Sequence, residues 1–145
     1  MKNVEIYEKL APKYDKATKI VSFGIEELWR KRFIKEICYY VKEGVLLDVA
    51  SATGDMAKNL DFKKMYLLDP SKEMNKIAKS KLKDKNAIFI EDFAESFKID
   101  EKVDLITAFM AVRNFDDLAK GIKNLDKYLK VGGYFFISLT ENLNM

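Results

Sequence analysis

Histidine is absent from this 145-residue chain, and cysteine occurs once, at Cys38. That rules out His-based triads and imidazole metal sites, and a lone thiol gives neither an internal disulfide nor a metal-ligand cluster. Such cysteine usage points to a reducing cytoplasm. No apolar run approaches the roughly 20 residues that cross a bilayer, so the chain is not expected to be transmembrane. The N-terminus also lacks a signal-peptide core. Glutamine is missing and lysine far outnumbers arginine, biases found in thermophile proteins and also produced by AT-rich coding. Net charge is only +3. No basic stripe is interleaved with aromatics, which argues against nucleic acid as a partner.

What is present is a globular balance, 48% hydrophobic and 34% charged, in a chain long enough for one cored domain over residues 1–145. Residues 1–42 read as an N-terminal helical cap and 43–145 as a sheet core. Residues 25–41 carry Leu28, Trp29, Phe33, Ile37 and Val41 at helical spacing, with Trp29 and Cys38 expected in the core. The basic run over residues 79–85 reads as a solvated helix end.

The chain is organised around residues 45–55, an apolar strand interrupted by Asp48, then the small residues Ala50, Ser51, Ala52 and Gly54. Small side chains let a ligand approach the backbone, and a following helix would aim its free N–H groups there. Further strands are expected at residues 65–69, 87–91, 103–109 and 134–139. Helices are expected at 55–60, from the Ser71 N-cap to 82, and after Asp117, with residues 131–133 as a turn. Strands alternating with helices predict a three-layer α/β fold, Rossmann-like, with a mainly parallel sheet of about five strands.

Three acids end or leave successive strands beside the small-residue turn. Asp69 can accept both hydroxyls of a ribose, and Asp92 with Phe93 can meet a purine through its amine and ring face. The turn lacks the glycines of a dinucleotide site, and Asp48 and Asp55 would oppose a pyrophosphate. An amino-acid end suits it better, with Asp48 attracting an ammonium. S-adenosyl-L-methionine has both parts.

The stretch Leu-Asp-Val-Ala-Ser-Ala-Thr-Gly-Asp resembles the nucleotide-binding motif of class I S-adenosylmethionine-dependent methyltransferases, most nearly the ubiquinone/menaquinone biosynthesis C-methyltransferase family. Tyr14-Asp15, Ser22-Phe23-Gly24-Ile25, Leu28-Trp29, Arg113-Asn114 and Leu129-Lys130-Val131-Gly132-Gly133 resemble further segments of that family. The resemblance implies methyl transfer to a small-molecule acceptor such as a demethylmenaquinol-like quinone precursor, or cofactor binding without turnover in a shortened relative. It implies that Thr53 and the turn hold the methionine end, Asp69 the ribose, and Asp92 with Phe93 the adenine edge, with Ala94 one register along as the alternative. Phe109 would line the cofactor. Arg113 and Asn114 would face the acceptor while Tyr14 and Asp15 close over the methyl group, and Asp15, Tyr14 or water would be the base.

The chain departs from that pattern at Ala52, which stands where the family has glycine, and at Thr18, where it has asparagine. The family also continues through another helix and an antiparallel strand pair. The fifth strand is therefore expected to present an exposed edge, covered by a second copy as a homodimer or by a partner chain.

Overall fold

The computed structural model describes residues 4–139. Three helices come first: α1 (Val4–Leu10), α2 (Tyr14–Val21) and α3 (Ile25–Tyr40). Pro12 falls in a 3-10 turn between α1 and α2, where a missing N–H costs no helical hydrogen bond. Strand β1 (Val45–Val49) is followed by α4 (Asp55–Lys58), β2 (Lys64–Leu68), α5 (Lys72–Lys81) and β3 (Ala87–Ile90). Then come β4 (Val103–Phe109), α6 (Leu118–Asp126) and β5 (Leu129–Ser138). The strands run parallel in the order β3-β2-β1-β4-β5.

The two-residue strand period divides the core between the faces of the sheet. Leu46, Met65, Leu67 and Leu105 meet Ile37 of α3 together with Met56, Ala57 and Ala78. Leu47, Tyr66, Leu68 and Ile106 meet Phe97, Phe115 and Leu125 on the opposite face. Strands buried on both sides explain the unbroken apolar runs. Ser71 caps α5 by accepting from Met74 N–H, and Asp117 caps α6 by accepting from Lys120 N–H.

Several local expectations are corrected. Helix α4 is a single turn, because the chain must drop back to β2 only a few residues later. The Gly132–Gly133 segment is an irregularity inside β5: Val103 faces Leu129 and Leu105 faces Tyr134, which leaves extra residues looped between them. Helix α3 carries apolar residues on two sides. Phe33, Ile37 and Val41 turn inward, whereas Leu28 and Trp29 are exposed. Cys38 is exposed as well, facing away from Ile37. The fifth strand, by contrast, is an edge strand as expected, with Tyr134 exposed and no further strand beyond it among the described residues.

Strand β1 starts where Asp104 of β4 accepts from Val45 N–H at 2.8 Å and faces Lys130 at 3.1 Å. Gly44, with φ of 122°, presses on that carboxyl group; an added Cβ would lie 2.4 Å from Asp104 Oδ2. Gly44→Ala should therefore lower stability by about 2–4 kcal/mol in urea unfolding, and a loss near zero would contradict this account of the β1 start.

Candidate functional site

The turn after β1 is built from left-handed backbone. Ala50 has φ of 53°, Ala52 48° and Gly54 85°. Gly54 is needed twice over, since a Cβ there would also meet Ala78 Cβ at 3.2 Å in α5. The two alanines adopt a conformation costing roughly 1–2 kcal/mol each for a residue with a Cβ. Tertiary bonds hold them. Ser51 N–H donates to Leu68 C=O at 3.1 Å, and Gly54 N–H to Ser51 C=O at 2.9 Å.

Asp69, one residue beyond β2, fastens this turn. Its Oδ2 accepts from Ala52 N–H at 2.9 Å and its Oδ1 from Ser71 N–H at 2.9 Å. Asn75 donates to the Asp69 carbonyl at 2.8 Å, so the acid ties the turn to the start of α5. Burial pushes its carboxyl up to about 6, although both amide bonds pull the other way. Asp48 is fully buried on β1. Its Oδ1 accepts from Thr107 Oγ1–H at 2.8 Å, while its Oδ2 has no partner among the described residues. Burial pushes it up to about 7 against the Thr107 bond, with the Asp69 charge adding to the rise. Ser51 Oγ is likewise buried without a partner among the described residues.

These groups line a cleft above the carboxyl ends of the strands, where open α/β sheets hold their ligands. Of the residues picked out in the sequence, Tyr14, Asp48, Ala50, Ser51, Thr53, Asp69, Phe109 and Asn114 form its wall. Gly54 faces α5 instead. Asp92 and Phe93 lie outside the wall. The Asp92 carboxylate is occupied in its own turn, accepting from Phe93 N–H at 2.7 Å and Ser96 Oγ–H at 2.5 Å. Arg113 falls in a 3-10 turn over Val112–Asn114, and its side chain is outside the described residues.

Asp15 sits to one side of the wall, where it latches the cap to the turn. It accepts from Thr53 Oγ1–H at 2.5 Å and pairs with Lys81 Nζ, which also reaches Asp55 Oδ1 at 2.9 Å. Burial would raise the Asp15 carboxyl, but the bonds from Lys81 and Thr53 prevail and hold it below its ordinary value. Tyr14 moves the other way, pushed up to about 12 by burial and the nearby Glu26 and Tyr7. At neutral pH it is a proton donor, not a base.

Two further residues join the site. Lys81, in a run that reads as solvated from sequence, bridges Asp15 and Asp55, and Arg30 lines the cleft with its guanidinium 3.9 Å from Glu26 and 4.0 Å from Asp55. The one signal for them in the sequence is Arg30 lying one helical turn after Glu26. The single turn of α4 offers little macrodipole, so a ligand carboxylate would depend on a side chain such as Arg30 rather than on that helix. The donor-poor atoms at the base of the cleft fit an ammonium. Asp48 Oδ2 and Ser51 Oγ are both buried with no hydrogen-bond partner among the described residues, and each can accept from an ammonium.

The model of the ubiE/COQ5 methyltransferase family matches residues 1–144. A demethylmenaquinone methyltransferase of Chlorobaculum tepidum is 35% identical over 139 residues, covering 91% of this chain and 57% of that enzyme. One of Thermotoga maritima is 34% identical, covering 92% of this chain and 59% of the relative. The chain thus spans little more than half the length of these relatives. A crystal structure of an S-adenosylmethionine-dependent methyltransferase from Clostridium acetobutylicum superposes with a TM-score of 0.71 at 29% identity, over 85% of this chain and 56% of that one.

Two outcomes are expected without any ligand. Ala50→Gly and Ala52→Gly should each stabilise the fold by about 0.5–1 kcal/mol, relief of the left-handed strain exceeding the added unfolded-state entropy; destabilisation at both sites would contradict the strain assignment. Asp48 and Asp69 carry folded-state pKa values above the usual carboxylate value of about 3.9, so the folded protein binds extra protons in that window. Stability should then fall as pH rises from about 4 to about 7. Asp48→Asn should remove much of this slope and raise stability at pH 8 by about 1–3 kcal/mol, measured by urea unfolding across pH; an unchanged slope would contradict the burial argument.

Proposed function

The chain belongs to the ubiE/COQ5 methyltransferase family, and from that premise we propose that its cleft binds S-adenosyl-L-methionine and directs its methyl group to a small-molecule acceptor, a reduced quinone precursor of the demethylmenaquinol type. The observation that carries this reading is that Asp48 Oδ2 and Ser51 Oγ, in residues lining one cleft, are both buried with no hydrogen-bond partner among the described residues. Such a pair asks for a cationic donor, and burial makes the attraction strong.

In this reading Asp48 and Ser51 accept from the cofactor ammonium, and Arg30 faces its carboxylate. Asp69 has two amide donors already, but a carboxylate offers about four acceptor directions, leaving capacity for the ribose hydroxyls. Thr53 and Phe109 bound the cofactor, and Phe93, outside the wall, is assigned the adenine face, the Asp92 carboxylate being engaged in its own turn. When bound, the cofactor supplies an electrophilic methyl group on a sulfonium. The acceptor must present its carbon about 3–3.5 Å away and in line with the departing sulfur. Methyl attachment would leave the cofactor as its neutral thioether, and the acceptor carbon would then lose its proton to restore the ring.

Tyr14 acts as a hydrogen-bond donor above the cleft, and Asp15 keeps the cap closed rather than taking a proton. The acceptor proton then leaves to water. Arg113 and Asn114, in the turn after β4, are assigned to orienting the acceptor. The same reading places the protein in the cytoplasm of a thermophile as a single domain, with its β5 edge covered by a second copy or a partner chain. Exposed Tyr134 and Ile137 on that edge support the last point.

A second reading, cofactor binding without turnover, is favoured by the two alanine methyl groups in the turn and by the engagement of both Asp69 oxygens. Calorimetry with S-adenosylhomocysteine and a methyl-transfer assay with a demethylmenaquinol acceptor separate the two. The proposal expects binding, methyl transfer, and a loss of about 1–3 kcal/mol of binding in Asp69→Ala. Binding without transfer supports the second reading, and no binding at all defeats both.

A further inference from the structure

The turn between α2 and α3 projects apolar side chains into solvent. Phe23 is 91% exposed and Val21 80%, with Ile20 exposed beside them. Helix α3 continues the surface: Ile25, Leu28 and Trp29 recur at positions i, i+3 and i+4, so they share one outward face. Phe23 also has φ of 53°, a left-handed backbone rare for a bulky residue. A strained, almost wholly exposed phenyl group gains nothing inside this fold. It calls for something outside it.

Charge selects among possible occupants. Residues 13–35 contain seven Lys or Arg and three Asp or Glu, a local net of +4 against +3 for the whole chain. Lys16, Lys19 and Arg32 flank the apolar tip and are exposed. A second copy docked face to face would oppose two such basic segments. An anionic lipid surface would accept the phenyl and aliphatic groups among its acyl chains and the lysines at its head groups.

The geometry points to the α2–α3 turn, led by Val21 and Phe23, as a docking site for an anionic membrane surface. The tip is continuous with the cap that carries Tyr14, Glu26 and Arg30 to the cleft wall, so docking would set the mouth of the cleft near the lipid. This goes beyond the methyltransferase reading and does not need it, since membrane binding is measured without cofactor or acceptor.

The test is co-sedimentation of the full chain with vesicles of equal parts phosphatidylcholine and phosphatidylglycerol, against vesicles of phosphatidylcholine alone. Preferential binding to the mixed vesicles, weakened by salt, is expected. The double variant Val21→Ser with Phe23→Ser should lose at least about tenfold in affinity while its thermal unfolding and S-adenosylhomocysteine binding stay unchanged. Lys16→Glu with Lys19→Glu should weaken binding only to the anionic vesicles. Absence of binding by the native chain, or equal binding by the serine variant, overturns the proposal. So does a concentration-dependent dimer in sedimentation equilibrium that the serine variant abolishes, because the face would then belong to a second copy.

Discussion

Two carboxyl groups buried at the ends of neighbouring strands govern this protein. Asp48 and Asp69 are withdrawn from water, and each is pushed toward neutrality by burial. Asp69 offsets its cost by fastening the β1 turn to α5 through Ala52 and Ser71. Asp48 has one bond from Thr107 and, among the described residues, an oxygen with none. The fold thus maintains an unmet demand for a donor at the floor of its cleft. An arrangement of that sort burdens stability and is retained where a ligand meets the demand.

The α2 part of the cap is joined to this centre by charge, whereas α3 is joined to the sheet by apolar packing. Asp15, Thr53, Lys81 and Asp55 form one network that reaches from α2 across the turn to α5. No residue of α1 or α2 is more than partly buried, whereas Ile37 of α3 is fully enclosed against the sheet. The cap therefore has two unlike parts, a firmly packed α3 and a lightly held α1–α2 segment. That segment covers the cleft, and the same region projects the apolar tip outward.

Much of the sheet was legible because its signals are local. The runs at β1, β2 and β4 are apolar throughout, and Ser71 and Asp117 mark helix starts by their side-chain chemistry alone. The carboxylates of the cleft were legible for a related reason: an acid at the end of a buried strand has few structural explanations. What stayed hidden depends on three-dimensional context. Periodicity shows that α3 is apolar at Leu28, Trp29, Phe33 and Ile37 but not that these residues fall on two faces. Lys81 sits in a lysine-rich run and looks like its neighbours until Asp15 and Asp55 are brought beside it. Asp92 has the right residue type at a strand end, yet its carboxylate closes its own turn. The alanines at positions 50 and 52 give no local hint of left-handed backbone, which tertiary bonds impose on them.

The most direct test of the central claim is proton release when S-adenosylhomocysteine binds, measured by calorimetry in buffers of different ionisation enthalpy. An ammonium placed against Asp48 would drive a carboxyl that titrates near 7 to its ionised form. Roughly one proton should therefore leave on binding below pH 7, and almost none above about pH 8.5. Binding with no proton release across that range would mean that Asp48 does not receive the ligand, and the account built on it would be wrong.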